Sequence, residues 1–262
     1  MSSYIEKIYS NFRECPQVDA LALGGSRSEG IVDDKSDYDL YVYINANIEN
    51  ESREKMFEPI CEVVEIANKY WEPEDNIVLK DGVCVDIIYR NVETMGEFLK
   101  FVVDDAHPMN GYTTCFWHNV KNCEIIFDKT GDLTKLQNKY RCEYPQKLKE
   151  AIIERNMKLL SGVLPSYDKQ IAKAFDRFDY VSINHRVAAY LESYFDVIFA
   201  LNEMTHPGEK KLMNICRSEC KLLPKNFEKN ISSLFEYMFK YDVSDILDEM
   251  YKELKKLVDE HK

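Results

Sequence analysis

The stretch "ALGGSRSEGIVDDKSDYDLYVYI", residues 22–44, decides how this sequence folds. It contains the end of an apolar run, "VDALAL" at 18–23, then two glycines and a polar segment, and finally the alternating run "YDLYVYI" at 38–44. Both runs have a composition typical of strands, so we predict two strands joined by a loop. Residues two apart in a strand share a face, which predicts that Asp37 and Asp39 project side by side.

A third acidic residue lies in "NIVLKDGVCVDIIYR". The Asp-Gly pair at 81–82 separates two apolar runs, which predicts a hairpin with a two-residue turn in which both residues have positive φ. Pairing Lys80 with Val83 would then place Asp86 opposite Ile77. An ionised carboxylate among apolar residues is costly unless a cation compensates it, so Asp86 is a candidate site residue.

If this hairpin lies beside the 38–44 strand, the carboxylates of Asp37, Asp39 and Asp86 converge on one patch. Clustered carboxylate oxygens are the ligands that Mg²⁺ prefers, and two such ions can clamp the attacking and leaving oxygens of a phosphoryl transfer. The residues alone leave two alternatives open. Asp37 and Asp39 could belong to a solvated turn, and Asp86 could be an edge-strand residue that faces water.

The two glycines before the polar segment predict an anion site. Gly24 and Gly25 allow backbone amides to approach a phosphate closely, Ser26 offers a hydroxyl, and a helix beginning in 26–30 would favour an anion at its N-terminus. The segment is not a P-loop, because Ile31 and the valine after it stand where Lys and Ser or Thr are required. The dinucleotide fingerprint G-x-G-x-x-G is also absent.

The combination of strand, Gly-Gly-Ser, short helix, Asp-x-Asp and a third Asp on a later strand resembles the nucleotidyltransferase superfamily typified by DNA polymerase β. It is most similar to the small bacterial antibiotic (aminoglycoside and lincosamide) nucleotidyltransferases. The motifs cover residues 18–90. The resemblance implies an α+β fold, in which an N-terminal mixed sheet flanked by helices is followed by an all-α helical bundle domain.

The resemblance also implies roles for residues in the N-terminal half. Gly25 and Ser26 match the positions that hold the outer phosphates of the nucleotide. Asp37 and Asp39 match the pair that binds both metal ions. Asp86 matches the third carboxylate, which binds the catalytic metal and helps to deprotonate the acceptor hydroxyl.

Further roles follow from the resemblance with less direct motif support. Relatives often carry a basic residue where this chain has Glu29, and Arg27 would then supply the charge for the triphosphate. One of Lys210 and Lys211 would contact the triphosphate from the helical half. Glu192 would bind the acceptor or act as a base there, although a solvated helix face also explains this residue.

The remaining periodicity predicts mostly helices. A helix is predicted from an N-cap at Asn50 through "ESREKMFEPICEVVEIANKYW", with Pro59 as a kink or a late start. The chain is predicted to divide into a catalytic domain, 1–144, and a helical domain, 145–262. Other predicted elements are helices at 3–14, 93–103, 146–161, 166–179, 181–203, 207–221 and 226–239, a helix from residue 244 onward, and a strand at 123–128.

Composition limits the partners. The chain has 262 residues and a net charge of −12. Residues 1–144 hold 15 Lys and Arg against 27 Asp and Glu, whereas 145–262 hold 19 against 19. An acidic half is a poor docking surface for nucleic acid but suits metal ions or a cationic small molecule, although the acidity could also serve solubility alone.

The sequence also predicts the cellular location of the protein. It has no apolar run long enough to cross a membrane and no export signal, and its eight cysteines lack C-x-x-C spacing. These features predict a cytoplasmic protein with reduced thiols. Oligomeric state stays open between a monomer and a homodimer.

The sequence therefore predicts an enzyme, a Mg²⁺-dependent nucleotidyltransferase. It would move a nucleoside monophosphate, most simply AMP from ATP, to a hydroxyl of a small molecule, with antibiotics and hence antibiotic resistance as one possibility. Two alternatives are nucleotidylation of a protein or tRNA, as in toxin-like relatives, and a nucleotide-binding module without catalysis.

Overall fold

The computed structural model describes residues 3–25 and 37–261. The chain forms two compact units. The first contains the residues up to Leu99 together with Asn119–Cys142, and the second contains Lys100–His118 and the residues from Glu143 onward. Over the described ranges, none of the helices is both long enough and apolar enough to cross a bilayer. The division of the chain at residue 144 stays a prediction.

The first unit is built on a six-stranded sheet. Its strands are β1 (Val18–Gly24), β2 (Tyr38–Ile44), β3 (Cys61–Asn68), β4 (Glu74–Leu79), β5 (Cys84–Arg90) and β6 (Glu124–Asp128). They lie in the order β3-β4-β5-β2-β1-β6. β2 and β5 run parallel, and the other neighbouring strands are antiparallel. The predicted mixed sheet and α+β class are therefore confirmed.

The two faces of the sheet are covered by different residues. On β2, Leu40 and Val42 belong to a core that also contains Ile8 and Phe12 of helix α1 (Ser3–Glu14). Tyr41 and Tyr43 alternate with them and belong to a separate apolar cluster on the other face. Because side chains alternate along a strand, Asp39 lies on the face of the two tyrosines.

The long helix predicted from Asn50 is wrong beyond its second turn. Helix α2 (Asn50–Phe57) ends before Pro59, and the following residues form β3. Proline cannot donate a helical hydrogen bond, and the β-branched run after it pairs with β4 instead. Asn50 is not the N-cap either. It lies within the helix, and its side-chain oxygen accepts a hydrogen bond from Arg53.

The predicted hairpin exists, but its register differs by one residue. Leu79 donates to the carbonyl of Val83 at 2.8 Å and accepts from the amide of Gly82 at 2.8 Å, so three residues form the loop. Gly82 has φ +81°, whereas Asp81 does not have a positive φ. The pair predicted as a two-residue turn is therefore part of a three-residue turn, in which a single positive-φ residue suffices.

Helices complete both units. All eight cysteines are free thiols. The predicted helices of the second half are present, with ends shifted by a few residues. The periodicity did not predict α4 and α5, which flank β6. The helices are α3 (Val92–Leu99), continued by a π-helical turn at Lys100–Asp104, then α4 (Cys115–Asn122), α5 (Asp132–Tyr140), α6 (Gln146–Leu160), α7 (Tyr167–Phe175), α8 (Tyr180–Leu201), α9 (Leu212–Glu219), α10 (Phe227–Tyr237) and α11 (Ser244–Glu260).

Candidate active site

Two of the predicted acidic residues lie side by side. Asp39 on β2 and Asp86 on β5 are direct partners across the parallel strand pair. Neighbouring strands are about 4.8 Å apart and paired residues project from the same face, so the two carboxylates rise together from the sheet. Both are partly exposed. Like charges at this separation repel, which makes the pair a natural position for a cation.

Asp37 is exposed and immediately precedes β2. The structure does not gather it with the other two into a ready-made ligand set. Among residues 3–25 and 37–261, no group of three or more His, Cys, Asp or Glu is arranged to hold a metal ion. The site therefore consists of a carboxylate pair, Asp39 and Asp86, with a third carboxylate nearby in sequence.

The predicted glycines lie beside Asp39. Gly24 is the strand partner of Asp39, and Gly25 follows it with φ +63°. A Cβ added to Gly25 would lie 1.9 Å from Oδ2 of Asp39, and one added to Gly24 would lie 2.3 Å from the ring of Tyr41. Both positions therefore require glycine, the first to admit a carboxylate and the second to admit an aromatic ring. Ser26 and Arg27, predicted to bind phosphate, lie outside the described residues.

The corrected hairpin register reveals a residue that the sequence prediction missed. Asn76 on β4, rather than Ile77, is the strand partner of Asp86. Its side-chain amide donates a hydrogen bond of 2.9 Å to Oδ1 of Asp86. Asn68 on β3 in turn donates to the amide oxygen of Asn76 at 2.6 Å. A chain of two amides thus crosses three strands and fixes one carboxylate oxygen of Asp86, leaving Oδ2 for a ligand.

Additional charged groups surround the pair on the same sheet. Burial raises the pKa of Glu74, and the negative charges of Asp86 and Glu72 raise it further. Arg90 does not neutralise the negative charge of Asp86, because its guanidinium donates two hydrogen bonds of 2.6 and 2.9 Å to Glu72. Its guanidinium also lies 4.1 Å from the ring centre of Tyr41. The local charge therefore remains negative.

These observations test whether the residues fit a divalent metal. The donors are carboxylate oxygens, which Mg²⁺ prefers. The Asp39–Asp86 pair is adjacent, one oxygen of Asp86 is held by Asn76, and the charge of Asp86 adds to burial in raising the pKa of Glu74. The residues fit such an ion. Mutual repulsion of the carboxylates would oppose the empty state and favour cation binding.

The remaining predicted residues lie in the second unit. Glu192 is on α8, and Lys211 is the left-handed residue before α9, with φ +58°. The structure brings these two to the wall of one cavity, whereas Lys210 is exposed and does not line it. Burial raises the pKa of Glu192. Sequence reasoning had not predicted that cavity.

Comparison with known proteins assigns the two parts of the sequence differently. Residues 5–108 match the family model of the nucleotidyltransferase domain. Residues 115–212 match a model described as a domain of unknown function (DUF4037). Among curated proteins, none matches the sequence.

Three solved structures are distantly similar. A nucleotidyltransferase-like protein from Exiguobacterium sibiricum 255-15 is 14% identical with a TM-score of 0.44, covering 98% of this chain and 74% of that one. An aminoglycoside 6-adenyltransferase from Bacillus subtilis is 10% identical with a TM-score of 0.34, covering 100% and 92%. The spectinomycin adenyltransferase AAD(9) from Enterococcus faecialis, solved with ATP and spectinomycin, is 14% identical with a TM-score of 0.36, covering 96% and 98%.

At such TM-scores these likenesses carry no argument about the chemistry of this chain. The family match does, because residues 5–108 span β1 to β5 and include the Asp39–Asp86 pair and the glycines beside it. The resemblance predicted from the sequence is confirmed for this region. Residues 5–108 therefore form a nucleotidyltransferase domain.

Proposed function

We propose that this enzyme transfers a nucleoside monophosphate, most simply AMP from ATP, to a hydroxyl of a small-molecule acceptor and releases pyrophosphate. The observation that carries the proposal is the pairing of Asp39 with Asp86 across parallel strands. Gly25 supports it, because a left-handed glycine against the Asp39 carboxylate would allow backbone amides to approach a phosphate there.

In this proposal Asp37, Asp39 and Asp86 hold two Mg²⁺ ions. When bound, these ions would neutralise phosphate oxygens and stabilise charge on the attacking and leaving oxygens. Asp39 and Asp86 would be shared ligands because their carboxylates rise from neighbouring strands. The hydrogen bond from Asn76 fixes Oδ1 of Asp86, so Oδ2 is the oxygen that remains for the ligand side.

The reaction forms one bond and breaks one. The acceptor oxygen bonds to the α-phosphorus, the bond from that phosphorus to the bridging oxygen of the β-phosphate breaks, and pyrophosphate leaves with the electron pair. The proton of the acceptor hydroxyl passes to the carboxylate of Asp86 and then to solvent. A positioned carboxylate base of this kind contributes about 10²- to 10⁴-fold to a rate.

Other contacts are proposed from the sequence resemblance. Gly25, Ser26 and Arg27 would bind the β- and γ-phosphates, and one of Lys210 and Lys211 would add a charge to the triphosphate. Glu192 would bind the acceptor or serve as a base toward it. An antibiotic is one acceptor class within the proposal, and the cytoplasm is the proposed location.

The acidity of the first half favours a small acceptor over a nucleic acid. Residues 1–144 carry an excess of twelve negative charges, 27 acidic against 15 basic residues, and nucleic acid binding rewards the opposite balance. A neutral or cationic small molecule would meet no such repulsion.

The decisive measurement is pyrophosphate release with a panel of nucleoside triphosphates and hydroxyl-bearing acceptors. We expect turnover in Mg²⁺ buffer and a loss of at least about a hundredfold in Asp39→Asn, because the amide cannot serve as an anionic ligand. Glu62→Gln is the matched control, since Glu62 is an exposed carboxylate on β3. Equal turnover in wild type and Asp39→Asn would refute the proposal.

Binding of Mn²⁺, followed by electron paramagnetic resonance, tests the metal site without knowledge of the acceptor. The wild type with a non-hydrolysable nucleotide should bind Mn²⁺, and Asp39→Asn and Asp86→Asn should each weaken this binding. Retained binding in both variants would show that the cation, if any, binds elsewhere.

A further inference from the structure

The second unit contains a cavity of about 460 Å³ that no motif in the sequence had indicated. Small-molecule sites fall in this range of volumes. Helices α8, α9 and α10 supply most of its walls. The lining is largely apolar and includes Val187, Leu191, Phe195, Leu212 and Ile231.

Glu192 is the exception in this apolar wall. Its side chain is half-buried, and burial raises the pKa of the carboxyl group. Within residues 3–25 and 37–261, the carboxylate makes no hydrogen bond or ion pair. The backbone of Gly111, at φ +100°, packs so closely on Glu192 that an added Cβ would lie 2.7 Å from the Glu192 Cβ. Gly111 therefore restricts the base of the Glu192 side chain, and the carboxylate has no protein partner among the described residues.

The residues that line the cavity beside Glu192 leave its net charge negative. Tyr112 lines it, and the pKa of Tyr112 is raised to about 12, first by burial and then by the charges of Glu192 and Glu209. Glu209 and Lys211 also line the wall, and both are exposed. The formal charge of the lining is thus −1, and Glu192 is the charged lining residue that is not exposed.

We propose that this cavity binds a small organic cation with an apolar body, its ammonium group facing Glu192. The apolar body of the ligand would pack against the leucine, valine and phenylalanine side chains of the cavity wall. The ammonium would supply the counter-charge that a half-buried carboxylate lacks, whereas an anionic or neutral ligand would leave that carboxylate desolvated and unpaired. Identifying this ligand as the nucleotide acceptor rests on the proposed function, but its binding does not.

Three probes that share one apolar body test the proposal: 4-phenylbutylamine, 4-phenylbutan-1-ol and 4-phenylbutanoate. Isothermal titration of the full chain without nucleotide should give the tightest binding for the amine, about tenfold tighter than for the alcohol. The acid should bind most weakly. In Glu192→Gln the amine should lose this advantage while the alcohol binds as before. Glu219→Gln, an exposed carboxylate outside the cavity, should change nothing.

A second variant keeps the test conclusive if Glu192→Gln folds poorly. Ala188 lines the cavity but is exposed, so Ala188→Trp should fill the space without disturbing the core and abolish binding of all three probes. Equal binding of acid and amine, or unchanged selectivity in Glu192→Gln, would overturn the proposal. If the amine bound but no nucleotidyl transfer occurred, the cation site would be supported and only the proposed function would be contradicted.

Discussion

Asn76 donates a hydrogen bond of 2.9 Å to the carboxylate of Asp86, and this contact exists because the two residues are strand partners. The amide holds one carboxylate oxygen, Oδ1, and leaves Oδ2 for a ligand. Asn76 is therefore a positioning residue for the proposed chemistry. Its own side chain is oriented by Asn68.

Asn76→Ala should lower kcat/KM about tenfold and weaken Mn²⁺ binding, because outer residues that orient a ligating carboxylate typically contribute 10- to 100-fold. Asn76→Asp should have a larger effect, since it adds a like charge opposite Asp86. Pyrophosphate release and Mn²⁺ titration measure both effects. Asn47→Ala, at an exposed position, is the control. Unchanged metal affinity in both Asn76 variants would show that the contact is only structural.

Gly25→Ala should abolish turnover. The new Cβ would lie 1.9 Å from Asp39 Oδ2, so the carboxylate must move, and a shift of about 1 Å at a reacting centre costs about a hundredfold. Gly82→Ala separates this clash from backbone strain. Gly82 also has positive φ, but nothing lies within 4 Å of its added Cβ.

Both variants should lose about 1 kcal/mol or more of unfolding free energy through strain, measured in urea. Only Gly25→Ala should also lose enzymatic activity. Comparable activity losses in the two variants would mean that the contact with Asp39 is unimportant.

Asp196 should make stability depend on pH. It is buried on α8 and accepts hydrogen bonds from the amide and hydroxyl of Thr113 and from Asn156. Burial raises the pKa of Asp196 from 3.8 to about 7 despite these bonds. Because the folded state then holds the proton more tightly than the unfolded state, the free energy of unfolding should fall as pH rises from about 4 to 7.

Asp196→Asn should flatten this part of the stability curve, since the amide does not titrate. Urea unfolding at pH 4, 5.5 and 7 measures the slope for both proteins. If the unfolding free energy changed equally with pH in the wild type and in Asp196→Asn, the pH dependence would come from other groups.

Asp75 should be among the residues most sensitive to truncation. It is fully buried, forms an ion pair with Arg53, and accepts hydrogen bonds from the Ala67 amide at 2.8 Å and the Tyr89 hydroxyl at 2.7 Å. Asp75→Ala would leave a buried guanidinium without a counter-charge, which costs about 3–5 kcal/mol.

Thermal unfolding checks this expectation against Glu228→Ala. Glu228 pairs with Arg217 in an ion pair whose two side chains are half exposed, and such pairs add little to stability. The control should therefore leave the melting temperature almost unchanged. A small effect in Asp75→Ala would contradict a central structural role for that cluster.

The sequence predicted those features that depend on local residue patterns. Periodicity predicted β1, β2 and the helical second half. The resemblance, carried by a few motif residues, predicted that Asp39 lies near Asp86. The helix predicted through Cys61 to Ala67 was wrong, because apolar residues at helical spacing also fit a strand once Pro59 ends the helix. Only pairing with β4 decides between these two, and that contact is not local.

The hairpin shows how a small error hides a site residue. An Asp-Gly pair favours a two-residue turn, but the chain uses Lys80 as a third loop residue. A shift of one residue exchanges Ile77 for Asn76 opposite Asp86, and with it an apolar neighbour for a hydrogen-bond donor. The cavity around Glu192 was equally hidden, since its walls come from three successive helices and Tyr112, and their packing is not a local property of the sequence.

The parallel pairing of β2 with β5 has a consequence during synthesis. Asp39 is made 47 residues before Asp86, so the two can meet only once β5 has been synthesised and pairs with β2. A nascent chain that stops short of β5 presents half of the carboxylate pair and has no partner strand to complete it. The carboxylate pair should thus form only after β5 has left the ribosome and paired with β2.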